Sequence, residues 1–66
     1  MTLKIDILLL KDGNQTNFTT KLIQLYQKAD FHNRYLLAQS YPNMAKTFEA
    51  WEKAATQDQI PDLPYD

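Results

Sequence analysis

Tyr41-Pro42-Asn43-Met44-Ala45-Lys46-Thr47-Phe48-Glu49-Ala50-Trp51-Glu52-Lys53-Ala54-Ala55 is the stretch from which the fold can be read. Pro42 disfavours the α conformation at Tyr41 and cannot donate to a preceding turn, yet it suits the first turn of a new helix. Tyr41-Pro42-Asn43 is therefore a corner. Beyond it Met44, Phe48, Trp51 and Ala55 stand at i, i+4, i+7 and i+11, one apolar stripe, while Lys46, Glu49 and Lys53 take the outside. The spacing predicts a helix from Asn43 to Ala55.

Working back from the corner, Asp30 can cap a helix over Phe31 to Ser40, whose Tyr35, Leu36, Leu37 and Ala38 form a broad apolar surface. Before it, Phe18, Leu22, Leu25, Tyr26 and Ala29 recur at spacings of three and four, with Lys21, Gln24, Gln27 and Lys28 between them. That is an amphipathic helix, with Asn17 or Thr16 as its cap. Asp30 and Asn33 compete for the backbone, so two short helices are expected rather than one long one.

The N-terminal segment has two readings. Leu3, Ile5, Ile7 and Leu9 alternate with Lys4, Asp6 and Leu8, which suits a strand. A helix over residues 3 to 12 has Asp6 early, Lys11 late, and Gly13 where a left-handed residue closes a helix. The helix is favoured because a lone strand leaves its backbone groups unpaired; a strand would pair with a second copy. Past Thr56 the chain turns polar, and Ile60, Leu63 and Tyr65 are then set among Pro61 and Pro64. The expected architecture is all-α: a small bundle of three to four short helices over residues 1-55, followed by an extended, acidic, proline-containing tail over 56-66. Leu63 and Tyr65 of that tail either fray or pack into a groove of this chain or a partner.

Composition narrows the function. With 66 residues, no Cys and one His (His32), neither disulfides nor a Cys/His zinc site can be built, so no metal and no cofactor is expected. A single Gly excludes glycine-rich phosphate loops. No apolar run reaches the ~20 residues of a membrane span, and the N-terminus lacks the pattern of a secretory signal, which points to the cytoplasm. Residues 1 to 53 carry all seven basic side chains against five acids, and residues 54 to 66 carry three Asp and no base. That field is weak for duplex binding, so nucleic acid is not the expected partner.

The chemistry-bearing residues are few. His32 has Asp30 at i-2, on another face, and Ser40 is the only serine, so no nucleophilic triad assembles and no catalytic residue is assigned. Glu49 and Glu52 lack the companion Glu-x-x-His elements of a bundle metal centre. Arg34, the only arginine, reads first as a helix-start partner of Asp30 and second as an anchor for a partner's carboxylate or phosphate. Trp51 shares the core stripe with Phe48, and some of Tyr26, Tyr35, Tyr41 and Tyr65 must lie near the surface, where partners use tyrosines. The candidate partner-binding set is Arg34, Tyr35, Tyr41, Trp51, Leu63 and Tyr65. Leu3, Ile5, Ile7, Leu8 and Leu10 exceed what one small core is expected to absorb and form a candidate homodimer interface.

The run Lys28-Ala29-Asp30-Phe31-His32-Asn33-Arg34-Tyr35-Leu36-Leu37-Ala38-Gln39-Ser40-Tyr41-Pro42, continuing to Phe48-Glu49-Ala50-Trp51, resembles a pattern of short uncharacterised bacteriophage and mobile-element proteins. In these an Asp, then Asn-Arg, then Leu-x-x-x-(Phe or Tyr)-Pro and an aromatic-rich helix recur. The resemblance covers about a third of the chain, implies an accessory protein of phage or plasmid origin and supplies no catalytic residue. The expectation is a non-enzymatic interaction protein acting through oligomerisation and partner binding. The alternative is a small dimeric nucleic-acid-binding regulator using residues 31 to 40 and 43 to 55 as a helix-turn-helix pair.

Overall fold

In the computed structural model, which describes residues 2–11, 13 and 17–66, the chain forms four helices: α1 (Leu3–Lys11), α2 (Phe18–Lys28), α3 (Phe31–Ser40) and α4 (Pro42–Lys53). A short 3-10 turn (Gln57–Gln59) follows, and there is no strand among the described residues. The chain is thus a small all-α bundle, and of the two N-terminal readings the helix is the one formed. Gly13 closes α1 with φ +86° and donates its N–H to the Leu10 carbonyl at 3.0 Å. Positive φ is what a residue without Cβ adopts cheaply.

The caps follow local chemistry. Asn17 Oδ1 accepts from Thr20 N at 2.8 Å, and Asp30 Oδ1 accepts from Asn33 N at 2.8 Å, starting α2 and α3. Tyr41 serves both sides of the corner: its N–H reaches the Leu37 carbonyl, and its own carbonyl receives Ala45 N. Pro42 occupies the first turn of α4.

The central helix is α4, on which α1, α2, α3 and the 3-10 turn all pack. Leu3 and Ile7 of α1, Ile23 and Tyr26 of α2, and Met44, Ala45 and Phe48 of α4 form the buried cluster, with Leu63 packed against it. Tyr26 meets Phe48 edge-on with ring centres 5.4 Å apart. Buried Thr20 and Thr47 donate their hydroxyls to the carbonyls of Asn17 and Asn43, so each polar group inside has a partner.

Three expectations change. The last helix stops at Lys53, and Ala55 is exposed rather than part of the stripe. On α2 the buried residues are Thr20, Ile23 and Tyr26, whereas Phe18 and Leu25 face outward. Leu3 and Ile7 lie wholly in the chain's own core, with Leu10 against it. Of the two readings of the tail, packing against this chain is the one formed: Ile60 is buried and Leu63 rests on the core. Those apolar side chains between prolines lose water on docking, and the prolines limit the entropy lost in doing so.

Candidate functional site

Three arrangements account for the chemistry-bearing side chains. The first is a polar cluster around Asp6, an acid of the first turn of α1 that is fully buried. Asn17 Nδ2 donates to Asp6 Oδ1 at 3.0 Å, and the Tyr65 hydroxyl donates to Asp6 Oδ2. That second bond, together with burial and the neighbouring negative charge, pushes the Tyr65 phenol up to about 12. A buried carboxylate is tolerated because both oxygens are occupied. Beside it, Asp66 spans the start of α4, where Tyr41 offers no side-chain cap. Its Oδ1 accepts from Asn43 N at 2.7 Å and its Oδ2 from Met44 N at 2.9 Å. Asn43 Nδ2 in turn donates to the Pro64 carbonyl at 3.1 Å. Only 59 residues of separation brought to zero could reveal the Tyr65–Asp6 pair, so no local pattern signals it.

The second arrangement centres on Arg34. Its Nε donates to the Tyr26 carbonyl at 3.1 Å and its Nη2 to the Gln27 carbonyl at 3.0 Å, closing the C-terminal end of α2. The guanidinium carbon lies 5.1 Å from the Tyr26 ring centre and 5.6 Å from that of Phe48. Glu49 and Glu52 stand at 3.8 and 4.0 Å from Nη1. The expected Asp30 pairing is replaced by these contacts, since Asp30 is occupied by its cap. Tyr26 donates to Glu49 Oε1 at 2.9 Å, and burial followed by that bond raises its phenol above the ordinary value. Arg34 therefore ties α2, α3 and α4 together, and its fork is committed to this chain.

The third arrangement is a surface. No residue of α3 is buried, yet the helix carries Phe31, 90% exposed, Tyr35, 58% exposed, and Leu36, 46% exposed. Leu25 of α2 adds a neighbouring apolar side chain at 56% exposure. Leu37 and Ala38 hold α3 to the core, and among the described residues nothing lies over its outer side. A groove of about 500 Å³ runs between α2 and α3, lined by Leu25, Lys28, Asn33, Leu36, Leu37 and Ser40 among others. Across α3, Phe31, Tyr35 and Ala38 border a second depression with Arg34 and Glu49.

Of the sequence-derived partner candidates, Tyr35 lies on this surface, while Tyr41, Trp51 and Leu63 are half-buried against the core and Tyr65 is engaged with Asp6. Of the candidate interface residues, Ile5 is 44% exposed, Leu8 half-buried, and Leu3, Ile7 and Leu10 inward. The sequence marks Phe31 only as the first residue of a helix, Leu36 as part of a broad apolar surface and Leu25 as part of an amphipathic repeat, and periodicity alone does not separate their exposed positions from buried ones. Among the described residues no group of three or more His, Cys, Asp or Glu is placed to hold a metal ion, and no helix is long and apolar enough to cross a membrane. No known protein family, characterised protein or solved structure matches the chain.

Proposed function

We propose that this chain is a non-catalytic binding protein whose contact surface is the outer side of α3 with Leu25 of α2. The observation that supports it is the exposure of Phe31, Tyr35 and Leu36 on a helix with no buried residue. A Phe side chain held in water forgoes roughly 1.5–3 kcal/mol of burial, and large apolar groups left exposed on both flanks of one helix mark an interface. The resemblance to phage and mobile-element proteins makes a host or element protein in the cytoplasm the partner on this reading. A second copy would also use α3, because Leu3 and Ile7 are spent in the chain's own core.

The nucleic-acid alternative is weaker. A helix-turn-helix would present α4, but Met44, Ala45, Thr47 and Phe48 face the core, and Glu49 and Glu52 accompany Lys46 and Lys53 outside.

The test is a photo-crosslinking residue at position 31 or 35, with position 53 as control, in the cell that makes the protein. Discrete heavier adducts from 31 and 35 but not 53, lost on Leu36→Asp, are expected. Adducts equally strong from position 53, or adducts sensitive to nuclease, would overturn the reading.

A further inference from the structure

We infer that the α2–α3 groove takes an acidic amphipathic helix of a partner protein. This rests on the binding reading above and names the partner's chemistry. The first observation is the charge around the groove. With Arg34 paired to Glu49 and Glu52 across α3, the charges that α2 presents beside the groove are Lys21 and Lys28, and the one acid of the segment from Asn17 to Tyr41 is Asp30, whose Oδ1 is bonded to Asn33 N. Among the described residues, neither the groove nor the adjoining face of Lys21, Gln24, Leu25 and Lys28 is lined by an acid. Four of the other acids are engaged elsewhere: Glu49 and Glu52 beside Arg34, Asp6 buried, and Asp66 on α4.

The second observation is spacing. Lys21, Leu25 and Lys28 stand at i, i+4 and i+7 on α2, so two exposed ammonium groups bracket an exposed leucine, about 10 Å apart along the axis. Leu36 faces the same groove from α3. An apolar ridge over Leu25 and Leu36 with carboxylates one turn to either side meets this pattern. The ammonium groups are positioned to receive the carboxylates as the apolar ridge leaves water.

The third observation selects the backbone form. A partner strand needs a free sheet edge, and none exists among the described residues. Polyproline segments dock on aromatic-lined grooves, and this lining contains no aromatic side chain. A helix laid in a groove remains.

The probe is a fluorescein-labelled synthetic helix with leucines at i, i+3 and i+7 and glutamates flanking them, compared with the same peptide carrying lysines in place of the glutamates. Anisotropy titrations at low and physiological salt are run on the full chain, with amide shift mapping by NMR. The glutamate peptide is expected to bind about tenfold more tightly than its lysine counterpart, the size of two weak ion pairs. Its shifts should centre on Leu25, Lys28, Asn33 and Leu36. Lys21→Glu with Lys28→Glu, a surface change that leaves the core untouched, should reverse the preference, and Leu36→Asp should abolish binding of both. Equal affinity for the two peptides, no binding of either, or shifts centred elsewhere would overturn the inference. Self-association lost on Leu36→Asp would overturn it in favour of a second copy. The broader reading fails separately, through absence of crosslinks at positions 31 and 35.

Discussion

At the scale of single residues, two side chains do work that their type alone does not announce. Tyr65 holds its proton more tightly in the folded chain, where its phenol sits at about 12, than in an unfolded chain, where tyrosine titrates near 10. The folded state therefore binds more protons across that window. Its stabilising contribution is complete below about pH 10 and is lost as pH rises towards 12. Tyr65→Phe is expected to cost about 1 kcal/mol near neutral pH, by loss of one bond to a carboxylate from a half-open position. Urea denaturation as a function of pH should show the variant and parent curves converging above pH 10. Curves that stay parallel would contradict the Tyr65–Asp6 bond. Arg34 gives a second expectation. Arg34→Lys keeps the charge but loses the fork that serves two α2 carbonyls, and about 1–2 kcal/mol of stability should go with it. Glu52→Gln, which alters only a 4.0 Å exposed pair, should change stability by less than about 0.5 kcal/mol. Equal losses would mean that charge, not hydrogen-bond geometry, is what Arg34 supplies.

At the scale of elements, α4 is unusual in being capped by a residue from the far end of the sequence. A local cap at Tyr41 is absent, and Asp66 supplies both oxygens to the Asn43 and Met44 amides. Asp66→Ala should lower stability by about 1 kcal/mol, as for loss of an ordinary N-cap. Asp66→Asn should recover part of it, since an amide retains one acceptor. Placing Ser at position 41 in the Asp66→Ala background tests whether a local cap can replace the distant one. The corner residue's two backbone bonds, to Leu37 and from Ala45, do not depend on its side chain.

At the scale of the whole molecule, the Cα radius of gyration of 10.9 Å matches the value of about 11 Å for a finished domain of this length. The tail contributes to that compactness: Ile60 is buried, Leu63 touches the core, and Tyr65 and Asp66 bond α1 and α4. Burying one isoleucine is worth about 2 kcal/mol, and a domain of this size has only about 3–10 in total. Truncation after Gln59 should therefore lower the melting temperature sharply, followed by circular dichroism at 222 nm. An unchanged melting temperature would mean the tail is idle. Phe31→Asp, by contrast, should leave stability within about 0.5 kcal/mol while removing crosslinks, because that side chain touches little of its own chain.

What the sequence by itself determined is local. Periodicity, the Asn17 and Asp30 caps, Pro42 and Gly13 act through neighbours within a turn or two, so the helices, their order and most boundaries could be read directly. Which apolar residues are buried was not legible in the same way. Phe18, Leu25, Leu36 and Phe31 are as hydrophobic as Leu3 and Ile23, yet α2 turns Thr20, Ile23 and Tyr26 inward and leaves Phe18 and Leu25 out, and α3 packs with no residue fully buried. The Tyr65–Asp6 bond, the Asp66 cap and the reassignment of Arg34 from Asp30 to the α2 carbonyls likewise belong to tertiary structure alone. The first two join groups 59 and 22 residues apart, and the Arg34 bonds, though only eight and seven residues long, cross from α3 to the end of α2, so no term links these groups until the helices have packed.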